Sequence, residues 1–159
     1  MNTAQRLAAN LYRQSFKAYY YAFTPPEYKR TWWRDYACDT VQAFLADPKK
    51  RYLFVNVPTQ HGKSQMFSQK LAEWVLGNAP DVRIMGLSYS DALAKRNCAV
   101  AFNSMKTERF YNVFGVTVGE PSEIKEAKKQ DYFQVNGRNG YYYAVPAGGQ
   151  VTGWSADLI

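Results

Sequence analysis

The chain has 159 residues, of which 47% are apolar and 21% charged, with two cysteines and one histidine. This composition indicates one globular domain with a packed core, and it argues against intrinsic disorder, a disulfide scaffold and zinc sites built on paired histidines. Twenty basic and thirteen acidic residues give a net charge of +7, and the basic excess lies within the first hundred residues. An anionic partner such as nucleic acid would explain this charge, and so would a merely soluble basic surface.

Two features of the sequence bear on location and redox state. No stretch approaches the roughly 18 apolar residues that a membrane span requires, so we expect a soluble intracellular protein without a membrane partner. Cys38 and Cys98 lie far apart in the sequence and form no CxxC motif, which favours free buried thiols over a redox pair.

Helical spacing of apolar residues predicts two helices near the amino terminus. The first covers residues 3–23, with Thr3 as its N-cap and the prolines at positions 25 and 26 as its stop. The second covers residues 33–46 and ends at an Asp-Pro pair. Residues 1–50 are therefore interpreted as a helical lead-in to a domain formed by residues 51–159.

The next part of the chain alternates between strand and helix patterns. Residues 52–57 are a short apolar run typical of a strand buried on both faces, and residues 64–76 have helical spacing. Residues 82–87 predict a second strand, and Ser90 is a suitable cap for the helix after it. This order predicts right-handed βαβ units on a parallel sheet, and hence the α/β class.

The pattern changes after residue 114. Residues 120–129 are highly charged and predict a surface loop or short helix. Residues 132–135 and 141–145 flank two Asn-Gly pairs, which predicts a β-hairpin. Residues 148–153 predict a flexible loop, and residues 156–159 begin another apolar strand. We expect the chain to be a truncated piece of a longer one, because chains rarely end on an apolar strand.

The residues with the clearest chemistry lie between the first predicted strand and the helix after it. There the sequence reads NVPTQHGKS from Asn56 to Ser64, the layout of a Walker A phosphate loop. Amide groups of such a loop converge on phosphate oxygens, Gly62 allows close approach, Lys63 reaches the β- and γ-phosphates, and the Ser64 hydroxyl ligates Mg²⁺. The usual first glycine is Val57 here, and the alternative is an ordinary helix start with an exposed lysine.

His61 within the loop has two interpretations. A lone histidine is more often a structural hydrogen-bonding group than a catalyst, so we expect its ring to bind neighbouring backbone and stiffen the turn. A role in proton transfer is the alternative.

The loop PTQHGKS resembles the ATPase domain of the large terminase subunit of tailed bacteriophages, in which this segment often reads PPRHGKS. Further likeness, in the family's order, lies in the proline-containing lead-in with its Trp-Trp pair, the SYS and LA segments at 88–94, the FYNVF segment at 110–114, and GGQVTGWSADLI at 148–159. The resemblance implies an incomplete P-loop NTPase fold of the RecA/ASCE-like type. In it a parallel sheet is flanked by helices and accompanied by the helical lead-in and the β-hairpin.

The resemblance also implies a function. Such a subunit forms a homo-oligomeric ring at the portal protein, works with a small terminase subunit, and uses ATP and Mg²⁺ to drive double-stranded DNA into the procapsid in the host cell cytoplasm. Its phosphate-binding and catalytic lysine corresponds to Lys63, and its Mg²⁺ ligand corresponds to Ser64. The rest of the nucleotide-binding set corresponds to Pro58, Thr59, Gln60, His61, Gly62 and Gln65.

Three departures from the family pattern affect this expectation. Gln60 and Trp154 stand where relatives often carry arginine, and Arg96 or Arg138 could replace the missing charge. The Walker B acids and the nuclease domain would follow Ile159. We therefore expect negligible ATP hydrolysis by these 159 residues alone, and poor solubility from unpaired sheet edges.

Two other functions compete with the motor interpretation. One is a non-catalytic nucleotide- or nucleic-acid-binding remnant, and the other is a small P-loop phosphotransferase such as a nucleotide kinase. The aromatic clusters at 19–21, 32–33 and 141–143 are interpreted mainly as packing, with base stacking as the alternative. By analogy with the family, Trp32, Trp33 or Arg34 could contact adenine.

Overall fold

The protein has an α/β fold in which helices flank one four-stranded mixed sheet. The computed structural model describes residues 2–119, 131–149 and 151–159. The predicted charged segment at 120–129 lies outside these residues.

The lead-in forms three helices, α1 (Thr3–Gln14), α2 (Phe16–Phe23) and α3 (Trp32–Ala46). The prediction of one helix over residues 3–23 is wrong, because Ser15 is extended, with φ −126° and ψ 111°, and its side chain accepts a hydrogen bond from Ala18 N–H to start α2. The cap of α1 is Asn2 rather than Thr3, in a capping box with Gln5. The third helix begins one residue before its predicted start.

A long helical segment follows the predicted phosphate loop, as expected, but its first part is wider than an α-helix. A π-helix (Ser64–Leu71), called the π segment below, continues directly as α4 (Ala72–Asn78). Helix α5 (Asp91–Met105) is capped by Ser90 as predicted, and α6 (Glu108–Phe114) follows it.

The sheet contains β1 (Arg83–Ser88), β2 (Val118–Gly119), β3 (Tyr132–Val135) and β4 (Tyr141–Pro146) in the order β1-β4-β3-β2. Strands β3 and β4 form the predicted hairpin, and β1 lies parallel to β4 with Arg83 beside Tyr141. The prediction of a parallel sheet is wrong, because the hairpin and β2 add two antiparallel pairings.

Residues 52–57, predicted as a buried strand, form no strand. Tyr52 is 80% exposed and Phe54 is 87% exposed. Within the described ranges, residues 51–57 take part in no backbone–backbone hydrogen bond. A strand needs a neighbouring backbone about 4.8 Å away. Here a cleft of about 1130 Å³ separates this segment from β1 and residues 156–159, so a β-prone sequence has no partner.

The last residues make only the beginning of the predicted strand. Leu158 forms one parallel bridge with Ile84, and Met85 N–H donates to the Leu158 carbonyl at 2.9 Å. Asp157 accepts hydrogen bonds from the Arg83 side chain at 2.7 and 2.9 Å, and from the Arg83 amide at 2.9 Å. The amides of Asp157 and Leu158 also donate to the Arg83 carbonyl, so backbone hydrogen bonds and one ion pair hold the last residues against the outer side of β1.

The core lies between α2, the π segment, α5 and the sheet. Its largest fully buried side chains are aromatic: Phe16, Tyr19, Tyr20, Phe110, Phe133 and Tyr142. Cys38 and Cys98 are free and buried, as predicted. No helix among the described residues combines the length and apolar character needed to cross a membrane.

Candidate nucleotide-binding site

The predicted phosphate loop is a turn with two left-handed residues. Gln60 has φ +64° and Gly62 has φ +84°, and the π segment begins two residues after Gly62. The His61 ring lies in the predicted structural position, with Nδ1 2.8 Å from the Thr59 carbonyl oxygen. Two changes of backbone handedness in three residues turn the chain sharply from the exposed segment into the helix.

The amide groups at the start of this helix are available to an anion. Within the described ranges, none of the N–H groups of residues 62–65 donates a hydrogen bond, and the first amide to do so is that of Met66, to the Gly62 carbonyl at 3.0 Å. The first turn of a helix leaves such donors without partners inside the helix, and its dipole favours negative charge there. Consecutive unpaired amides at a helix start can bind phosphate.

Most side chains of the predicted site are exposed to solvent: those of Pro58, Thr59, Gln60, His61, Lys63 and Ser64. Among the described residues, Lys63 forms no ion pair, so its ammonium is accessible to a ligand.

Gln65 differs from the other predicted site residues because it is only 8% exposed. Its Oε1 accepts a hydrogen bond from Tyr20 at 2.8 Å, and its Nε2 donates to Thr24 Oγ1 at 2.9 Å. The side chain therefore fastens the π segment to α2, and only the Gln65 amide can face a phosphate.

The lead-in contacts this loop directly. The Trp33 and His61 rings meet edge to face with centroids 6.2 Å apart. A Cβ atom placed on Gly62 would lie 3.2 Å from Tyr28 Cε1 and 3.9 Å from Arg34 Nη2. Position 62 therefore requires glycine for its backbone conformation and also for the close approach of Tyr28.

Arg34 is the residue that sequence reasoning did not place beside Gly62. The only sequence feature that points to this placement is the mixture of basic and aromatic residues at 28–34, and such a mixture also fits simple packing. The sequence suggests Arg96 and Arg138 as replacements for the missing charge, but Arg96 is exposed on α5 and Arg138 lies 3.7 Å from Asp81 at the hairpin turn.

Two titratable groups near Arg34 have altered acidity. Burial raises the pKa of Tyr20 to about 12, while the positive charge of Arg34 acts in the opposite direction. Burial also acts to raise the pKa of Asp35, but hydrogen bonds from Arg30 and Tyr21, each 2.8 Å long, outweigh it and leave the pKa lowered. Asp35 is therefore an ionised carboxylate already committed to two partners.

The described residues contain no group of three or more His, Cys, Asp or Glu side chains that could hold a metal ion. The nearest fit to a magnesium site is the exposed Ser64 hydroxyl beside the unpaired amides. Mg²⁺ is commonly held by few protein ligands together with phosphate oxygens, so this hydroxyl would serve only with a nucleotide present.

Comparison of the chain with protein-family models, with curated proteins and with solved structures gives no significant match. The likeness to terminases therefore rests on the sequence segments alone.

Proposed function

We propose that residues 58–65 bind the phosphates of ATP with Mg²⁺. The unpaired amides of residues 62–65, together with the exposed Lys63 ammonium, are the observation that supports this proposal. The amides would hold phosphate oxygens, Lys63 would neutralise the β- and γ-phosphates, and the Ser64 hydroxyl would ligate Mg²⁺. In this proposal the α/β fold is the front part of a P-loop NTPase domain of the RecA/ASCE-like type.

We further propose that this ATPase belongs to a viral DNA-packaging motor of the large terminase type. The ordered sequence segments support it, as does a net charge of +7, because duplex DNA is contacted chiefly through its phosphates. The partners would be double-stranded DNA, the portal protein, the small terminase subunit and further copies of the chain in a ring, acting in the host cell cytoplasm.

A second candidate is a nucleotide- or nucleic-acid-binding protein without hydrolysis. One observation favours it, namely the packing of Trp154 where the resemblance expects an arginine. Its ring stacks on Tyr143 with centroids 4.3 Å apart and also meets Tyr132 and Tyr141. The position therefore supports the hairpin and offers no cation to a neighbouring ATP site.

Calorimetric titration of the full chain with ATP and Mg²⁺ tests nucleotide binding. We expect Lys63→Ala to weaken binding about tenfold or more, since hydrogen bonds to charged groups contribute about 1.5–3 kcal/mol. Lys49→Ala is the matched control, because Lys49 is also an exposed lysine, and it should bind as the wild type does. A folded chain without Mg²⁺-dependent binding, or equal affinity in Lys63→Ala, would overturn the proposal.

Coupling to DNA separates the two candidate functions. In a packaging motor, nucleotide binding must be coupled to DNA binding. A non-hydrolysable ATP analogue should therefore change the affinity for a short DNA duplex. In the second candidate the affinity for DNA would be the same with and without the analogue. Fluorescence anisotropy of a labelled duplex measures both, and Lys63→Ala should abolish any change.

A further inference from the structure

The guanidinium of Arg34 is held firmly beside the phosphate loop. Its central carbon lies 5.1 Å from the Trp33 ring centroid and 5.7 Å from that of Tyr28. Both distances are within the range of cation–π attraction. Trp33 and Tyr28 also contact His61 and Gly62 respectively, so the two rings fix Arg34 relative to the loop.

Most of the hydrogen-bonding capacity of Arg34 is unused. The guanidinium has five N–H donors, and among the described residues it makes one hydrogen bond, from Nη1 to the Lys29 carbonyl. Its Nε is buried without a partner in that part of the chain, which is costly for a charged group. Nη2 lies 3.9 Å from the Cβ position of Gly62, so one of the unused donor groups is beside the loop.

We propose that Arg34 binds the terminal phosphate of a nucleoside triphosphate held by residues 58–65. This inference rests on the proposed nucleotide site and adds to Lys63 a second cation, from the lead-in. A planar guanidinium suits phosphate oxygens, and its contacts with two rings mean that little side-chain freedom is lost on binding.

The proposal predicts selectivity for the number of phosphates. Arg34→Gln should weaken ATP binding about tenfold or more and ADP binding less. AMP binding should be unchanged, so the ratio of ATP to ADP affinity falls. Arg34→Met tests the same point while keeping an unbranched apolar stem at this position. Arg96→Gln and Arg138→Gln remove the same charge elsewhere and should leave the ratio at its wild-type value.

A measurement on the wild-type chain does not depend on how variants fold. Phenylglyoxal modifies arginine side chains, and mass spectrometry locates the modified residues. ATP with Mg²⁺ should protect Arg34 strongly, AMP should protect it weakly, and Arg138 should be modified equally in both. Equal modification of Arg34 with and without ATP would overturn the proposal.

The two proposals fail in different ways. Loss of the nucleotide site itself would appear as no ATP binding by the wild type, or as unchanged binding in Lys63→Ala. Failure of the Arg34 inference alone would appear as Lys63-dependent ATP binding in which folded Arg34→Gln or Arg34→Met keeps the wild-type ratio of ATP to ADP affinity.

Discussion

Lys70 and Glu73 form an ion pair inside the core, with Lys70 Nζ 2.9 Å from Glu73 Oε2 and the Glu73 side chain inaccessible to solvent. The same carboxylate accepts hydrogen bonds from Tyr19 at 2.6 Å and from Ser104 at 2.8 Å. Burial raises the pKa of Glu73, and the Lys70 charge and these hydrogen bonds oppose that rise. The pair thus joins the π segment and α4 to α2 and α5.

Removing one partner of this pair should be strongly destabilising. Glu73→Ala leaves the Lys70 ammonium buried without its carboxylate, for which a cost of about 3–5 kcal/mol is typical. Urea unfolding of the two chains measures the difference. Asp39→Ala breaks the exposed pair between Lys17 and Asp39 and should change the midpoint little. Similar midpoints for Glu73→Ala and the wild type would contradict the structural role assigned to the pair.

Substitution of Gly62 should lower both stability and ATP affinity, whereas substitution of another left-handed glycine should lower stability alone. Gly62→Ala places a side chain at φ +84° and against Tyr28, so we expect a stability loss of about 1–3 kcal/mol together with weaker ATP binding. Gly115→Ala is a matched control, because Gly115 has φ +68° but open space around its Cβ position. It should lose stability without losing ATP affinity. Equal ATP affinity of Gly62→Ala and the wild type would contradict the prediction.

The exposed segment at 52–57 should promote self-association. Phe54→Ser removes the highly exposed phenylalanine of this segment, so we expect less aggregation, measured by light scattering, with unfolding free energy within about 0.5 kcal/mol of the wild type. Phe133→Ser, at a position 1% exposed, should instead cost about 3–5 kcal/mol. Unchanged scattering by Phe54→Ser would show that self-association does not depend on this segment.

Acid should weaken the attachment of the last residues to β1. Hydrogen bonds from Arg83 lower the pKa of Asp157 from 3.8 to about 2. Because the pKa of Asp157 is lower in the folded chain than in the unfolded chain, its ionised form stabilises the fold fully above about pH 3.8. This contribution is lost as the pH falls through about 2. Both side chains are partly exposed, so the effect should be small and reduced by salt.

Thermal unfolding of Asp157→Asn tests this prediction. Its midpoint should lie slightly below that of the wild type at neutral pH, and the difference should shrink as the pH falls through about 2 and also at high salt. A difference that stays constant across the acid range would assign the effect of the substitution to packing and not to the ion pair.

The sequence predicts best those elements whose pattern is local. Helix α3, helix α5 with its cap at Ser90, and the hairpin of β3 and β4 follow from apolar spacing and turn residues alone. The break at Ser15 was missed because apolar spacing continues across it, although serine is a frequent N-cap. The strand at 52–57 was wrongly predicted because apolar residues describe what a strand contains and not whether another backbone lies beside it.

In the candidate site too, local features are predicted from the sequence and contacts between distant residues are not. The order of Gly62, Lys63 and Ser64 is read directly from the sequence, and so is the structural hydrogen bond of His61. The placement of Arg34 is not, because it depends on α3 packing against a loop encoded far along the chain. The buried hydrogen bonds of the Gln65 side chain also required the structure, since a position inside a loop motif gives no sign of which way a side chain points.

The pairing of β1 with β4 sets an order for folding during synthesis on the ribosome. Strand β1 has its full-length partner only when the chain has been made as far as Pro146, long after its own residues have emerged. Contacts between residues so distant in sequence form slowly, whereas the helices and the hairpin close through near neighbours. Nascent chains that stop before Tyr141 should therefore contain helix but no assembled sheet.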